Sequence, residues 1–208
     1  MTVIHLIRHG EVHNPHQVLY GRLSRFGLTE RGQRQARAAG AFLAIRPVRA
    51  LYCSPLLRAR KTAAEIAGLN GGLAPKISSL INEVLTPFEG LPAAEIDARR
   101  GDVYSHAQPG RFEQPADVLL RMRRFIDRCR NRHAGAEVAA VTHGDPIVFT
   151  VLWALGADLT PRNKNRLKKI GYPAGYPAHG SITSLIFAEP AFQALPRLDY
   201  HAPGPVQV

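Results

Sequence analysis

The sequence predicts an α/β fold, a three-layer α/β/α sandwich built on a mainly parallel central sheet. Three observations predict it. Short, β-branched apolar runs alternate along the chain with longer segments of helical periodicity. The first of those runs is largely continuous in its apolar character, as in a strand covered on both faces. Neither an internal repeat nor a linker interrupts the 208 residues, so one domain over 1–208 is expected.

Taken in order, Thr2 to Ile7 reads as the first buried strand, with Arg8, His9 and Gly10 at its carboxyl end. Glu11 to Leu28 holds Asn14-Pro15, Gly21 and Gly27 and reads as a loop. Thr29 can cap a helix to about Ile45, with Pro47 just beyond it. Ala50 to Cys53 is a second strand. Ser54-Pro55 then predicts a helix start, Ser as cap and Pro at the first position, and that helix stops near Gly68. Ile77 to Ile81 suits a third strand, Asn82 to Gly90 a loop, and Pro92 to Arg99 a short helix. Asp117 begins a longer helix ending near Gly135, Glu137 to Thr142 is a strand, and a helix opens at Pro146. Ser181 to Phe187 is expected as the last core strand, and the tail from Pro203 onward as mobile. The irregular segments around 100–115 and 162–180 are candidates for a lid.

Composition bounds the function. Hydrophobic residues at 45% suffice for a packed core, and charged residues at 21% are too few and too mixed in sign for a disordered chain. There are 27 Lys+Arg against 16 Asp+Glu, a formal net charge of +11, which attracts anionic ligands. Arg121, Arg123, Arg124, Arg128, Arg130 and Arg132 share one predicted helix, but no aromatic interleaving or nucleic-acid motif accompanies them, so nucleic acid is not the expected partner. Cys53 and Cys129 form no C-x-x-C pair and demand no oxidising compartment. The start lacks the layout of a signal peptide, and no stretch approaches the roughly 18 apolar residues needed to span a bilayer. A cytoplasmic location away from membranes is expected.

Four segments could carry chemistry. In Arg8-His9-Gly10-Glu11, a histidine at a strand mouth can attack phosphorus while the arginine offers forked donors to phosphate oxygens and Gly10 lets the backbone approach the anion. In Ser54 to Ala63, Arg58 lies in the first turn of a helix, where amides and guanidinium together suit an anion; taken alone, such an arginine is more often a solvated charge. In Thr142-His143-Gly144-Asp145, a second strand-end histidine can donate to phosphate oxygens; alone, it reads equally well as a structural turn. In Asn82 to Gly90, Glu83 can protonate a leaving alkoxide if burial raises its pKa, with Glu89 the rival in the same loop. All but the last follow predicted strands, and ligands in open α/β sheets gather beyond strand carboxyl ends.

Together, IHLIRHGEV (4–12), FGLTERGQRQA (26–36), LYCSPLLRARKTA (51–63), NEVLTPFEG (82–90) and AVTHGD (140–145) resemble, in order, the histidine phosphatase superfamily, which includes the cofactor-dependent phosphoglycerate mutases. The resemblance spans roughly residues 3 to 187. It implies an α/β sandwich, His9 as phosphoryl acceptor, Arg8, Arg58 and His143 around the phosphate, and Glu83 as acid. No metal and no cofactor is implied. Two positions depart from the pattern. Many members carry a phosphate-contacting Asn six positions beyond the nucleophile, whereas Asn14 is five positions on and precedes Pro15. Phe88 replaces the usual Trp before Glu-Gly.

The expectation is therefore a metal-independent phosphomonoester hydrolase acting on a small phosphorylated metabolite through a phosphohistidine at His9. The short span from Glu83 to His143, where the mutases carry a longer insertion, favours a phosphatase over a mutase-type phosphotransferase. Arg99 and Arg100 keep the mutase open as a partner for a second anionic group. A basic, non-catalytic binding protein on the same fold is a further alternative. A metal site built from His5, His9, His13 and His16 lacks an acidic or Cys cluster to complete it. Assembly as a homodimer is left open.

Overall fold

The structure, a computed structural model, describes residues 1–105, 107–108, 110–188 and 195–202. The tail from Pro203 onward, expected to be mobile, lies outside the described residues. Six strands form one sheet: β1 (Thr2–Arg8), β2 (Val48–Cys53), β3 (Lys76–Ile77), β4 (Glu137–Thr142), β5 (Ile182–Phe187) and β6 (Arg197–His201), in spatial order β3-β2-β4-β1-β5-β6. The first four in that order run parallel, while β5 lies antiparallel to β1 and β6 antiparallel to β5.

Alternation along the strands sorts their side chains between two cores. Ile7, Leu51, Ala139 and Val141 face α1 (Glu30–Ala44) and α2 (Leu57–Leu69), whose Ala39, Ala59 and Ala63 permit close approach. Ile4, Leu6, Val138 and Ala140 face the opposite cluster, which holds Met122 and Phe125 of α4 (Pro115–Arg132) and Phe149 of α5 (Gly144–Ala154). Each such buried Leu, Ile, Val or Phe contributes about 1.5–3 kcal/mol relative to exposure. The expected three layers are thus present, completed by the short helices α3 (Ala93–Ala98) and α6 (Pro161–Lys164) over the sheet's carboxyl rim. No helix among the described residues is long and apolar enough to cross a membrane.

Local chemistry moved several predicted boundaries. Ser54 does not cap α2, whose N-cap is Leu56 without a side-chain bond, because the Ser54 hydroxyl is taken by longer-range partners. The third strand is only Lys76–Ile77, and a 3-10 turn over Ser79–Ile81 replaces the rest. α4 begins at Pro115, two residues early, because Asp117 is not the first residue but the capping partner of the Gln114 amide at 2.9 Å. α5 begins at Gly144 with His143 as N-cap, before Pro146. Ile182–Phe187 is the last buried strand, as expected, but it runs antiparallel, and the half-exposed β6 pairs outside it.

Register places the site. Arg8 pairs with Thr142 across β1 and β4, and Cys53 with Val141 across β2 and β4. The residues just beyond, His9, His143 and Ser54, therefore leave the sheet side by side. Gly10 serves packing here: a Cβ on it would lie 2.3 Å from the Gly32 carbonyl oxygen, so only glycine lets the loop after β1 rest on the start of α1.

Candidate active site

His9 is buried, and both its ring nitrogens are engaged. Nδ1 lies 2.8 Å from the Gly10 carbonyl, which can only accept, so Nδ1 carries the proton. That leaves Nε2 with its lone pair, accepting from Arg58 Nε at 3.2 Å. Burial first, then the charges of Arg58 and Arg8, hold the ring's pKa well below the ordinary histidine value. The result is a neutral imidazole whose unprotonated nitrogen faces a guanidinium.

Arg58 is fully buried from the first turns of α2. Its Nη2 donates to the Gly21 carbonyl at 2.6 Å, and its guanidinium carbon sits 4.7 Å from the centre of the Tyr20 ring. Arg8 is fixed by donation to the Pro177 carbonyl at 2.7 Å and lies 5.0 Å from the Tyr176 ring centre, with its Nε buried and unpartnered.

The His143 ring centre is 5.2 Å from that of His9. The Ser54 hydroxyl donates to Asn82 Oδ1 at 3.1 Å, so it accepts from His143 Nε2 at 2.7 Å. This chain sets the tautomer: Nε2 bears the proton and Nδ1, buried without a hydrogen bond, points at Glu83 Oε2, 3.5 Å away. Burial and then Arg58 keep this ring neutral as well.

Glu83 accepts from the Val84 amide through Oε1 at 2.9 Å, while Oε2 reaches to 3.9 Å from Arg58 Nη2. Burial raises its pKa against the opposing pull of Arg58. Glu89 is engaged with another partner, accepting from the Arg22 amide at 2.6 Å, though its charge still reaches Arg58. Asn14 is also apart: its side-chain amide closes a local loop with Val18 in both directions, at 2.8 and 3.2 Å. Of the expected residues, His9, Arg8, Arg58, His143 and Glu83 converge, and Asn14 does not join them. His5 spends its two ring nitrogens on Ser184 and Glu137, within the sheet.

Several supporting residues carry no motif in the sequence. The His179 ring lies tilted against His9, centres 5.4 Å apart, with its pKa lowered to about 3, mainly by burial. Arg121, one of the six arginines of the basic helix, donates to the Glu83 carbonyl at 3.2 Å and to both oxygens of Glu113; Arg22 donates to the same two groups. Asp145 accepts from Tyr104, Tyr176 and Lys164, and the lysine's charge is the largest influence holding its carboxyl below the usual range against burial. The pairing of Asp145 with His143 in one tetrapeptide was the only available signal.

Beyond the imidazoles lies a cavity of about 360 Å³, lined by Arg8, Tyr20 and Glu83 at one end and by Arg100, Lys164 and Asn165 of the two irregular segments. The N-terminus of α5, through Gly144, also borders it, adding a partial positive charge. A site with two arginines, two neutral imidazoles and one carboxyl of raised pKa suits a dianion and offers a nucleophile, oxygen-binding donors and an acid.

Known proteins resemble this chain in sequence and in fold. The family model for the histidine phosphatase superfamily (branch 1) matches residues 4–172. An uncharacterised protein of Mycobacterium tuberculosis is 36% identical over 194 residues, covering 89% of this chain and 90% of its own length. A probable phosphoglycerate mutase, GpmB, of Photorhabdus laumondii is 29% identical over 177 residues, 81% of each chain. Among solved structures, the mycobacterial glucosyl-3-phosphoglycerate phosphatase superposes with a TM-score of 0.76 at 23% identity, covering 97% of this chain and 99% of its own.

Proposed function

The chain belongs to the histidine phosphatase superfamily, and on that premise we propose that it hydrolyses a small phosphomonoester through a phosphohistidine at His9, without a metal. One observation carries the reading. His9 Nδ1–H is locked on the Gly10 carbonyl, and the bare Nε2 is aimed into the cluster of Arg58, His143 and Glu83.

His9 Nε2 attacks phosphorus in line as the phosphorus–oxygen bond to the leaving group breaks. Arg8, Arg58 and His143 hold the equatorial oxygens, and Glu83 gives its proton to the departing alkoxide. The charge of the bound phosphoryl group favours protonation of His143 on Nδ1 by a proton from solvent, returned to solvent when phosphate leaves, and while it is bound that N–H donates a hydrogen bond to a phosphate oxygen. Water then attacks phosphorus, Glu83 takes its proton, the nitrogen–phosphorus bond breaks, and phosphate leaves with His9 neutral again. Among similar proteins, one phosphatase by name supports hydrolysis, while a probable phosphoglycerate mutase supports a second reading, transfer of the phosphoryl group back to a substrate hydroxyl.

A panel of phosphorylated metabolites, assayed for inorganic phosphate and for isomerised product, tests both readings. Phosphate release by the wild type and its loss in His9→Ala, with the circular dichroism spectrum retained, is expected. An unchanged rate in His9→Ala rejects the assignment.

A further inference from the structure

The cavity beside His9 does not end at its own wall. It shares Arg100 and Asn165 with an adjoining recess of about 580 Å³, which is also lined by Arg99, Arg162 and Arg166. Four arginines thus border one recess. Its one carboxylate, Asp102, already accepts from the Tyr104 and Ser105 amides and the Ser105 hydroxyl. Among the described residues no carboxylate forms an ion pair with any of the four arginines. Lys164, by contrast, has its charge spent on Asp145.

The recess is held in shape. Arg100 occupies the left-handed region at φ 55, an unfavourable conformation for a residue with a side chain. Its carbonyl accepts from Asn165 Nδ2 at 2.7 Å, and the next carbonyl, of Gly101, accepts from Lys164 Nζ at 3.0 Å. Two consecutive peptide carbonyls are therefore clamped onto α6 and the residue that follows it. This aligns the turn carrying Arg99 and Arg100 with the segment carrying Arg162 and Arg166. Strain kept in place by long-range bonds, beside a cluster of like charges, is costly for folding alone; an anion spanning the two segments offsets the repulsion.

The cavity between His9 and this recess is wide enough for a sizeable leaving group. Its volume of about 360 Å³ falls within the roughly 300–1,000 Å³ of small-molecule pockets. Leu19, Val84, Ile96 and Val103 give it apolar walls. We propose that the recess is a second anion site of the substrate pocket: the natural phosphoester carries, at the far end of a leaving group of about sugar size, a second phosphate or a carboxylate that Arg100, Arg162 and Arg166 hold. This inference rests on the reading of the His9 cluster as the seat of the first phosphoryl group.

Binding to His9→Ala protein, measured by calorimetry, tests it without turnover. Two matched pairs serve as probes: fructose 1,6-bisphosphate against fructose 6-phosphate, and 6-phosphogluconate against sorbitol 6-phosphate. The doubly anionic member of at least one pair should bind about tenfold tighter, and the pair that shows it identifies phosphate or carboxylate. Adding Arg162→Glu and Arg166→Glu should bring that ratio to about one, whereas Arg124→Glu with Arg128→Glu on the outer side of α4 should leave it standing. Equal affinities within both pairs, a preference that survives reversal at 162 and 166, or the same loss from reversal on α4 would overturn the proposal. A wild-type enzyme inert towards every phosphoester would strike the phosphatase reading alone, since no step of the binding comparison needs turnover.

Discussion

Replacing Glu83 by Gln separates proton donation from phosphate binding. The amide is isosteric and can still accept from the Val84 amide through its oxygen, so the loop keeps its shape. It cannot give a proton to a leaving alkoxide. A positioned general acid is worth about 10²–10⁴ in rate, and a loss of about 10²–10³ corresponds to roughly 3–4 kcal/mol of transition-state stabilisation. The effect on binding has the opposite sign. Glu83 Oε2 lies 3.9 Å from Arg58 Nη2, and two unit charges at that separation attract by roughly 4 kcal/mol at an effective dielectric of 20. That attraction is an upper bound, because burial raises the pKa of Glu83 against the pull of Arg58. Removing the carboxylate frees Arg58 for phosphate, so KM should not rise while kcat falls. Steady-state kinetics on an alkyl phosphate and on p-nitrophenyl phosphate checks this: the alkyl ester should lose about 10²–10³ in kcat, and the aryl ester, whose leaving group needs little protonation, far less. Equal losses on both esters, or a KM that climbs with kcat unchanged, would refute Glu83 as the acid and redirect attention to Glu89.

Other perturbations have equally definite outcomes. Ser54→Ala leaves the buried Nε2–H of His143 without an acceptor, which should cost about 1–3 kcal/mol in urea unfolding and lower kcat with little change in KM. Gly10→Ala places a Cβ 2.3 Å from a backbone oxygen that cannot swing away, so its Tm should drop while Gly175→Ala, with open space around it, stays near wild type. Stability should also depend on pH through the buried imidazoles. His9, His143 and His179 have folded pKa values below the ordinary 6.5, so below that pH the unfolded chain binds more protons and the fold weakens as pH falls. Urea midpoints from pH 7.5 down to 5 should decline, and the decline should be shallower in His179→Gln; a midpoint indifferent to pH would contradict the buried, neutral rings.

The parts that were legible in sequence are those in which a short apolar strand ends directly in a chemical residue. His9 follows β1 and His143 follows β4 at matched register, so reading the strand ends was enough to bring the two imidazoles together. Arg58 and Glu83 could be read only from the combined pattern, since neither stands out alone. What escaped depends on long-range partners. Ser54 looks like a helix cap from its neighbours, but it is held by His143 and Asn82, far along the chain. Arg121 looks like one more solvated charge until Glu113 and the Glu83 loop are placed beside it. Strand β6 escaped because only Leu198 and Tyr200 of its alternating residues pack against the core, too weak an apolar signal for an edge strand. The Asp145 cluster joins residues from three segments, two of which read as irregular.

The account stands on covalent capture by one imidazole nitrogen. Rapid mixing with substrate, an alkaline quench that preserves phosphorus–nitrogen bonds, and peptide mass mapping would measure it directly. One phosphoryl group on His9, present in Glu83→Gln and absent in His9→Ala, is predicted. Turnover with the phosphoryl group found on any other residue, or on none at any time point, would contradict it.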